Sequence, residues 1–382
     1  MTASFYKLSG KLKAEEPIHI GSGRRTGVIK HSLPYIPGSF IRGAFGSILA
    51  RSVCKLERPF INHSKCQFAD KCLYTDIFEK EEGKSSGLIF RYAYPIHIGC
   101  GGVFRPAAKT LYECENSQCR KVFDAMIPPD SCDICSSRLK PYVGFVCDKC
   151  GLRDNPIRLE RITSTSIDLP KSSAAILEVG GQKYGTLHTI ESIPRGSIFS
   201  LETIVDRRLE GFLDTVKTLL EYGVGDEGIG GSRSRGYGKI SVEGIGVEPV
   251  EVDEIESRAE SINESRFSVQ ALSPLVLDGF MEAKTLLEGA RRAYSWVFHT
   301  GKLSLPTLTL ESSRVSLENF SGWSYKENAQ RRIESAFSAG SVFQFRGEKS
   351  TILSRALASL EIFPLGSYKP HGCGQLRVEN AR

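Results

Sequence analysis

Two apolar stripes of helical period run through the chain. After Ser39, the residues Phe40, Ile41, Ala44, Phe45, Ile48 and Leu49 share one face of a 3.6-residue repeat, and Leu209, Phe212, Leu213, Val216, Leu219 and Leu220 do the same further on. Ser39 has the chemistry of an N-cap for the first helix, because its hydroxyl can accept from a first-turn N–H. Pro37-Gly38 before it is a turn that leaves N–H groups at the positive helix end, where an anion can dock. Arg42 falls off the apolar stripe near that end. An ordinary turn into a core helix accounts for the same residues without a ligand.

The stripes belong to a pattern that recurs. Gly196-Ser197-Ile198-Phe199 returns as Gly340-Ser341-Val342-Phe343, and each is followed by a helical stretch, a glycine-rich turn and an alternating strand. Gly236-x-Gly238 and Gly372-x-Gly374 take equivalent places, and the openings LKAEEPIHIG and VQALSPLVLD share Ala14/Ala271 and Pro17/Pro274. Each half thus reads strand, helix, further strands, helix, glycine-rich turn, strand. That order predicts an α+β chain of two ferredoxin-like (RRM-like) units, helices covering one face of an antiparallel sheet and the other face free for a ligand. The expected domains are 1–245, with a cysteine-rich insert at about 106–155, and 265–382. The stretch 246–264 has no sustained apolar period and reads as a linker.

Length and composition agree with two soluble domains: 382 residues, 40% of them hydrophobic. The first residues lack an apolar leader core, and no stretch approaches the roughly 20 apolar residues of a membrane span, so a cytoplasmic protein without membrane contact is expected. Charge sharpens the picture. The net charge is +6, yet residues 248–264 hold seven acids against one base, which leaves the rest of the chain at +12. A basic body suits a polyanion, although a solubility surface has the same balance.

Residues 228–238, GIGGSRSRGYG, carry the most specific chemistry. Glycines let the main chain approach a phosphate closely, Arg233 and Arg235 can fork onto phosphate oxygens, and Tyr237 offers a ring for an unpaired base. The loop lacks the GxxxxGK[ST] spacing of an NTPase and precedes a strand rather than a helix, which excludes a dinucleotide-binding turn.

The motifs PIHIGSG, PYIPGSFIRGAFG and GIGGSRSRGYGKISV resemble the successive signatures of the RAMP superfamily of CRISPR-associated proteins. The stretch RITSTSIDLPKSSAAILEVGGQKYGTLHTIESIPRGSIFSLE resembles subunits of type III (Csm/Cmr-like) effectors, and the second half resembles the larger two-domain subunits, of subtype III-D. The resemblance implies an RNA-binding, non-catalytic subunit of a ribonucleoprotein that serves antiviral defence. Its implied partners are CRISPR RNA, target RNA in the assembled particle, other RAMP subunits and a large polymerase-like subunit. Carried over residue by residue, the RNA contacts would be Arg24, Arg25, Lys30 and His31 after the first strand, Ser39 and Arg42 at the first helix, and Gly230, Gly231, Ser232, Arg233, Ser234, Arg235 and Tyr237 in the glycine-rich loop. The second loop, SYKPHGCG, departs from the pattern: it has Lys369 and His371 but no paired arginines, which puts its RNA role in doubt.

Eleven cysteines, an odd number, argue against a pure disulfide framework and for metal. Three pairs lie in the insert: Cys114-x4-Cys119, Cys132-x2-Cys135 and Cys147-x2-Cys150. Two such pairs close a tetrahedral structural Zn2+ site. The favoured set is Cys114, Cys119, Cys132 and Cys135, with Cys147 and Cys150 completed by Cys66 and Cys72 and with His63 or Cys54 as substitutes; pairing Cys132/Cys135 with Cys147/Cys150 is the alternative. Cys100 and Cys373 read as buried or loop thiols. Four thiolates leave no open position for water, so catalytic zinc is excluded, while an iron–sulfur ligand set stays open.

Two other functions compete. One is a metal-independent CRISPR-RNA processing endoribonuclease, with His19 or His31 as general base; the other is a zinc-bearing RNA-binding protein of a different kind. Type III subunits that cut target RNA resemble this chain in the segment GSGRRTGVIKHSLPYIPGS, where they place an aspartate. Here the segment has no acid, Lys30 stands nearest that position, and Asp76 further on reads as structural.

Overall fold

The computed structural model describes residues 5–54, 66–68, 72–78, 87–299, 303–324 and 329–381. Phe5, Leu8, Leu12 and Ala14 are the buried positions of the first strand, β1 (Phe5–Ala14), which lies at the centre of a four-stranded sheet with β2 (Leu88–Phe90), β3 (Ile198–Asp206) and β4 (Ile240–Pro249). The sheet order is β4-β1-β3-β2, and every neighbouring pair is antiparallel. The second half repeats this. β5 (Arg266–Ala271), β6 (Leu308–Arg314), β7 (Val342–Gly347) and β8 (Leu376–Asn380) run in the order β6-β7-β5-β8, again antiparallel throughout. The chain is therefore α+β, as its pattern predicts.

The first apolar stripe forms α1 (Gly38–Val53), which buries Ile41, Ala44, Phe45 and Leu49. It starts two residues earlier than the cap reading requires: Pro37 is the N-cap, and Ser39 sits inside the first turn. The start is fixed by packing, since a Cβ on Gly38 would lie 1.9 Å from the Phe90 carbonyl oxygen. Arg42 is buried rather than solvent-facing. The short helix Leu73–Phe78 covers that side of α1, and the Arg42 guanidinium lies 4.1 Å from the centre of the Phe78 ring. The second stripe forms one helical run made of a 3-10 turn (Arg207–Phe212), an α-turn (Leu213–Thr218), a π-turn (Leu219–Gly223) and a last α-turn (Val224–Glu227).

Residues 246–264 finish β4 and then form α2 (Val252–Ser261), which buries Ile255 and Ala259. Arg258 of α2 forks onto Glu361 at 2.7 and 2.8 Å, tying the segment to α4 (Thr351–Ile362), which packs beside α3 (Ala283–Phe298). One hydrophobic cluster runs from β5 to β8 and the helices α2 to α4 through Val250 into Phe5, Ile89 and Ile204 of the first half. Phe5 and Trp296 meet there with ring centres 3.8 Å apart. Apolar area removed from water contributes about 25 cal/mol per Å², so a large aromatic contact such as this helps to hold the halves together. Among the described residues no helix is long and apolar enough to cross a membrane.

Candidate functional site

The two glycine-rich turns have the same backbone. Gly230 (φ 85°) and Gly366 (φ 80°), Ser232 (61°) and Tyr368 (56°), Gly236 (84°) and Gly372 (83°), and Gly238 (87°) and Gly374 (74°) are all left-handed, with the 3-10 turns Arg233–Arg235 and Lys369–His371 in the same place. Their anchors match as well. Gly238 N–H donates to the Pro17 carbonyl at 2.8 Å and Gly374 N–H to that of Pro274 at 2.9 Å, while Gly231 donates to His19 and Ser367 to Val276, both at 2.9 Å. Side chains are barred where these anchors lie: a Cβ would come within 2.5 Å of the His19 oxygen at Gly230 and within 2.3 Å of the Val276 oxygen at Gly366.

Both turns border one cleft of about 2830 Å³ between the halves, together with the start of α1 and the hairpin Gly21–Thr26/Ile29–Ser32. Of the expected contacts, Arg24, His31, Ser39, Arg42, Gly230 and Arg233 line it; Arg25, Lys30, Gly231, Ser232, Ser234, Arg235 and Tyr237 do not, and neither does Asp76. Arg233 is engaged within the protein. Its Nη1 meets Glu227 Oε1 at 2.7 Å and the Glu227 carbonyl at 2.8 Å, and Arg51 holds the same carboxylate. Against the effect of burial, these arginines keep the Glu227 carboxyl below its usual range. Arg235 is exposed and contacts His188 Nε2 at 2.9 Å. Tyr237 is half-buried.

The second half supplies a wall of Arg291 and Arg292 of α3, Arg331 and Arg332, and Trp323, which the sequence reading missed, with Lys369 and His371 of the loop it left in doubt. Two Arg-Arg doublets were the available signal. Burial, with Arg292 nearby, lowers Lys369 to about 8, and burial, with Arg42 and Arg331, holds His371 well below the usual histidine range. The cleft thus carries many cations beside few acids, the arrangement that attracts a phosphate chain.

His31 lies at the cleft edge in a closed network. Its Nδ1 meets Glu191 Oε2 at 2.9 Å and its Nε2 meets Thr26 Oγ1 at 2.9 Å, while Arg161 forks onto Glu191 Oε1 at 2.9 and 3.0 Å. Glu191 is buried, yet Arg161 and His31 hold its carboxyl below the usual range. His19 is buried with Nδ1 2.7 Å from the Glu191 carbonyl.

The cysteines gather into two sets whose donor atoms all lie within 4.8 Å of one another: Cys114, Cys119, Cys132 and Cys135, and His97, Cys100, Cys147 and Cys150. The first is the favoured set. In the second, His97 and Cys100 stand where Cys66 and Cys72 were expected, and Cys100 is a cluster member rather than a lone thiol. Cys54, Cys66 and Cys72 belong to neither set, and His63 lies outside the described residues. Cys373 is buried, and burial pushes its thiol up to about 12. Each set sits on its own three-stranded sheet of the insert: Leu111–Cys114 between Val122–Asp124 and Leu139–Pro141, and Phe145–Cys147 between Phe104–Pro106 and Arg153–Asp154. Hydrogen bonds from Ser137 bring the Cys135 thiol down to about 6. Against desolvation, the Cys150 and Lys149 N–H groups bring Cys147 to about 6 as well. These two sulfurs are ready to ligate a soft cation, while burial holds the Cys114 thiol of the first set up to about 12.

In comparison with known proteins, the RAMP superfamily profile matches residues 11–241, whereas no curated protein matches the chain. Among solved structures the chain is similar to a Cas6 product complex, at 11% identity over 98% of this chain and 99% of that one with a TM-score of 0.41. It is also similar to Cmr6 from Pyrococcus furiosus, at 14% identity over 63% and 99% with a TM-score of 0.30. A third similar structure is the type III-B Cmr-beta bound to cognate target RNA, at 15% identity over 64% and 61% with a TM-score of 0.32.

Proposed function

The chain belongs to the RAMP superfamily, and from that premise we propose that it is a non-catalytic RNA-binding subunit of a type III CRISPR effector ribonucleoprotein. It holds CRISPR RNA, meets target RNA in the assembled particle, and docks other RAMP subunits and the large polymerase-like subunit in the cytoplasm. The observation that carries this reading is the cleft between the halves, bordered by both glycine-rich turns and by Arg24, Arg42, Arg291, Arg292, Arg331 and Arg332. A single strand laid there meets phosphate-binding cations along one path and rings such as Trp323 for its bases. The strand orders β4-β1-β3-β2 and β6-β7-β5-β8 support two ferredoxin-like domains, 1–245 and 265–382, with 246–264 as a packed joint and the cysteine-rich insert as a zinc-bearing arm.

Two features favour holding RNA over cutting it. His31 is held between the Glu191 carboxylate and the Thr26 hydroxyl, so a 2′-hydroxyl would have to displace Thr26 to reach its Nε2. The segment GSGRRTGVIKHSLPYIPGS holds no carboxylate, and Glu15 and Glu16 before it do not line the cleft. The test is to incubate full-length protein with single-stranded repeat RNA in EDTA. Retention of intact RNA, weakening steeply with salt, is expected; a cut at one position that His31→Ala abolishes would establish the processing endoribonuclease instead.

A further inference from the structure

All four loops that feed the cysteine clusters end alike. The residue after the second ligand of each is left-handed: Arg120 (φ 48°), Ser136 (55°), Gly101 (69°) and Gly151 (70°). Its N–H returns to the carbonyl four residues back, to Asn116, Cys132, His97 and Cys147, at 2.8 to 3.1 Å. His97-x2-Cys100-Gly101 and Cys147-x2-Cys150-Gly151 therefore have the same length, the same final glycine and the same turn. A turn of this kind aims two donors at one point. His97 Nδ1 lies 3.0 Å from Cys100 Sγ and 3.3 Å from Cys150 Sγ, and Cys100 Sγ lies 3.4 Å from Cys147 Sγ. An ion about 2.3 Å from each sulfur and about 2.0 Å from the nitrogen would spread these donors by only a few tenths of an ångström.

The surroundings are built for the same point. Gly102 admits no side chain, since a Cβ would lie 2.6 Å from Cys147 Sγ. The His97 ring rests on Phe104 with centres 5.3 Å apart. Asp148, between the ligands of the second loop, accepts from Val103 N–H at 2.8 Å and lies 3.5 Å from Arg105, which locks one loop to the other. We propose that His97, Cys100, Cys147 and Cys150 form a second, closed zinc site of one imidazole and three thiolates, which clips the root of the insert to the body.

The clip reaches further than the insert. Just beyond it, Lys109 N–H donates to the Gly340 carbonyl at 2.8 Å, Gln270 Nε2 donates to the Pro106 carbonyl at 2.8 Å, and the Tyr94 hydroxyl donates to the Leu272 carbonyl. The root thus lies between the halves, and fixing it fixes where the second half sits. The site stands on its own donors and turns, apart from the RNA reading.

Elemental analysis of the full chain should give two zinc ions, falling to one in His97→Ala and in Cys100→Ser and staying at two in Cys66→Ser and Cys72→Ser. With Co2+ in place of zinc, His97→Cys should keep two ions and convert the mixed-ligand absorption to that of a second four-thiolate site. In His97→Ala, amide exchange should rise at residues 93–107 and at Lys109, whose N–H donates to the Gly340 carbonyl. One ion in the unaltered protein, iron in place of zinc, or two ions and an unchanged cobalt spectrum in His97→Ala would overturn the site. Loss of one ion with exchange at Lys109 unchanged would overturn the clip.

Discussion

Ser232 and Tyr368 turn the chain left-handed in the same way, and each leads through three 3-10 residues to a pair of left-handed glycines. The surroundings of the two turns are opposite. Nothing lies within 4 Å of a Cβ built on Gly236, whereas one on Gly372 would sit 2.4 Å from the Phe90 carbonyl oxygen. The first turn presents exposed Arg233 and Arg235, while the second seats His371 against the start of α1 and lays Lys369 over the Phe363 ring. Duplication has kept the hydrogen-bonded backbone, which both halves need, and has freed the side chains. One turn stays open, and the other has become part of the joint between halves.

Alanine at the second glycine of this comparison should give the largest effect. Left-handed alanine costs roughly 1–2 kcal/mol, which is the whole expected destabilisation for Gly236→Ala. Gly372→Ala adds the collision with Phe90 and should cost on the order of 3 kcal/mol or more, seen as a much larger fall in the urea midpoint. Equal falls would mean that the second turn is not wedged between the halves.

The exposed turn is tested through salt. Removing one phosphate-binding cation should reduce the log–log salt slope of single-strand binding by about 0.7, so Arg233→Ala with Arg235→Ala should remove between about 0.7 and about 1.4. Arg235→Ala should account for the greater share, because Glu227 already neutralises Arg233 in the free protein. An unchanged slope in the double variant would take this turn off the path of the RNA.

How much of this is legible in the sequence depends on the range of the forces involved. The glycine pairs and the Cys114–Cys135 set follow from local spacing, because left-handed turns and knuckles are made within a few residues. Arg42 misleads because its burial comes from Leu73–Phe78, which periodicity within α1 cannot reveal. The helix Val252–Ser261 escapes because Ile255 and Ala259 alone face the core, too few for a period. His97 and Cys100 lie 50 residues from Cys147 and Cys150, a distance across which spacing says nothing. Their HxxCG form, mirroring the later CxxCG, was the signal available.

The smallest expected effect concerns the buried turn, and its sign separates two roles for Lys369. Folding lowers its pKa from 10.5 to about 8, because burial disfavours the ammonium and Arg292 adds like charge. Between these values the unfolded chain binds the extra proton and the native chain does not, so this residue's contribution to stability rises as pH climbs from 8 towards 10.5. Phosphate prefers the charged form, so RNA affinity should move the other way, falling about tenfold between pH 7 and pH 9 as the free protein loses the proton. Binding measured by fluorescence polarisation on an oligonucleotide of adenine and cytosine alone, at fixed ionic strength, keeps base titration out of that window. Lys369→Gln retains much of the stem and should bind more weakly at pH 7 but show little of the decline. A wild-type affinity that is flat with pH, or a decline shared by Lys369→Gln, would show that Lys369 serves the joint between halves and does not touch the RNA.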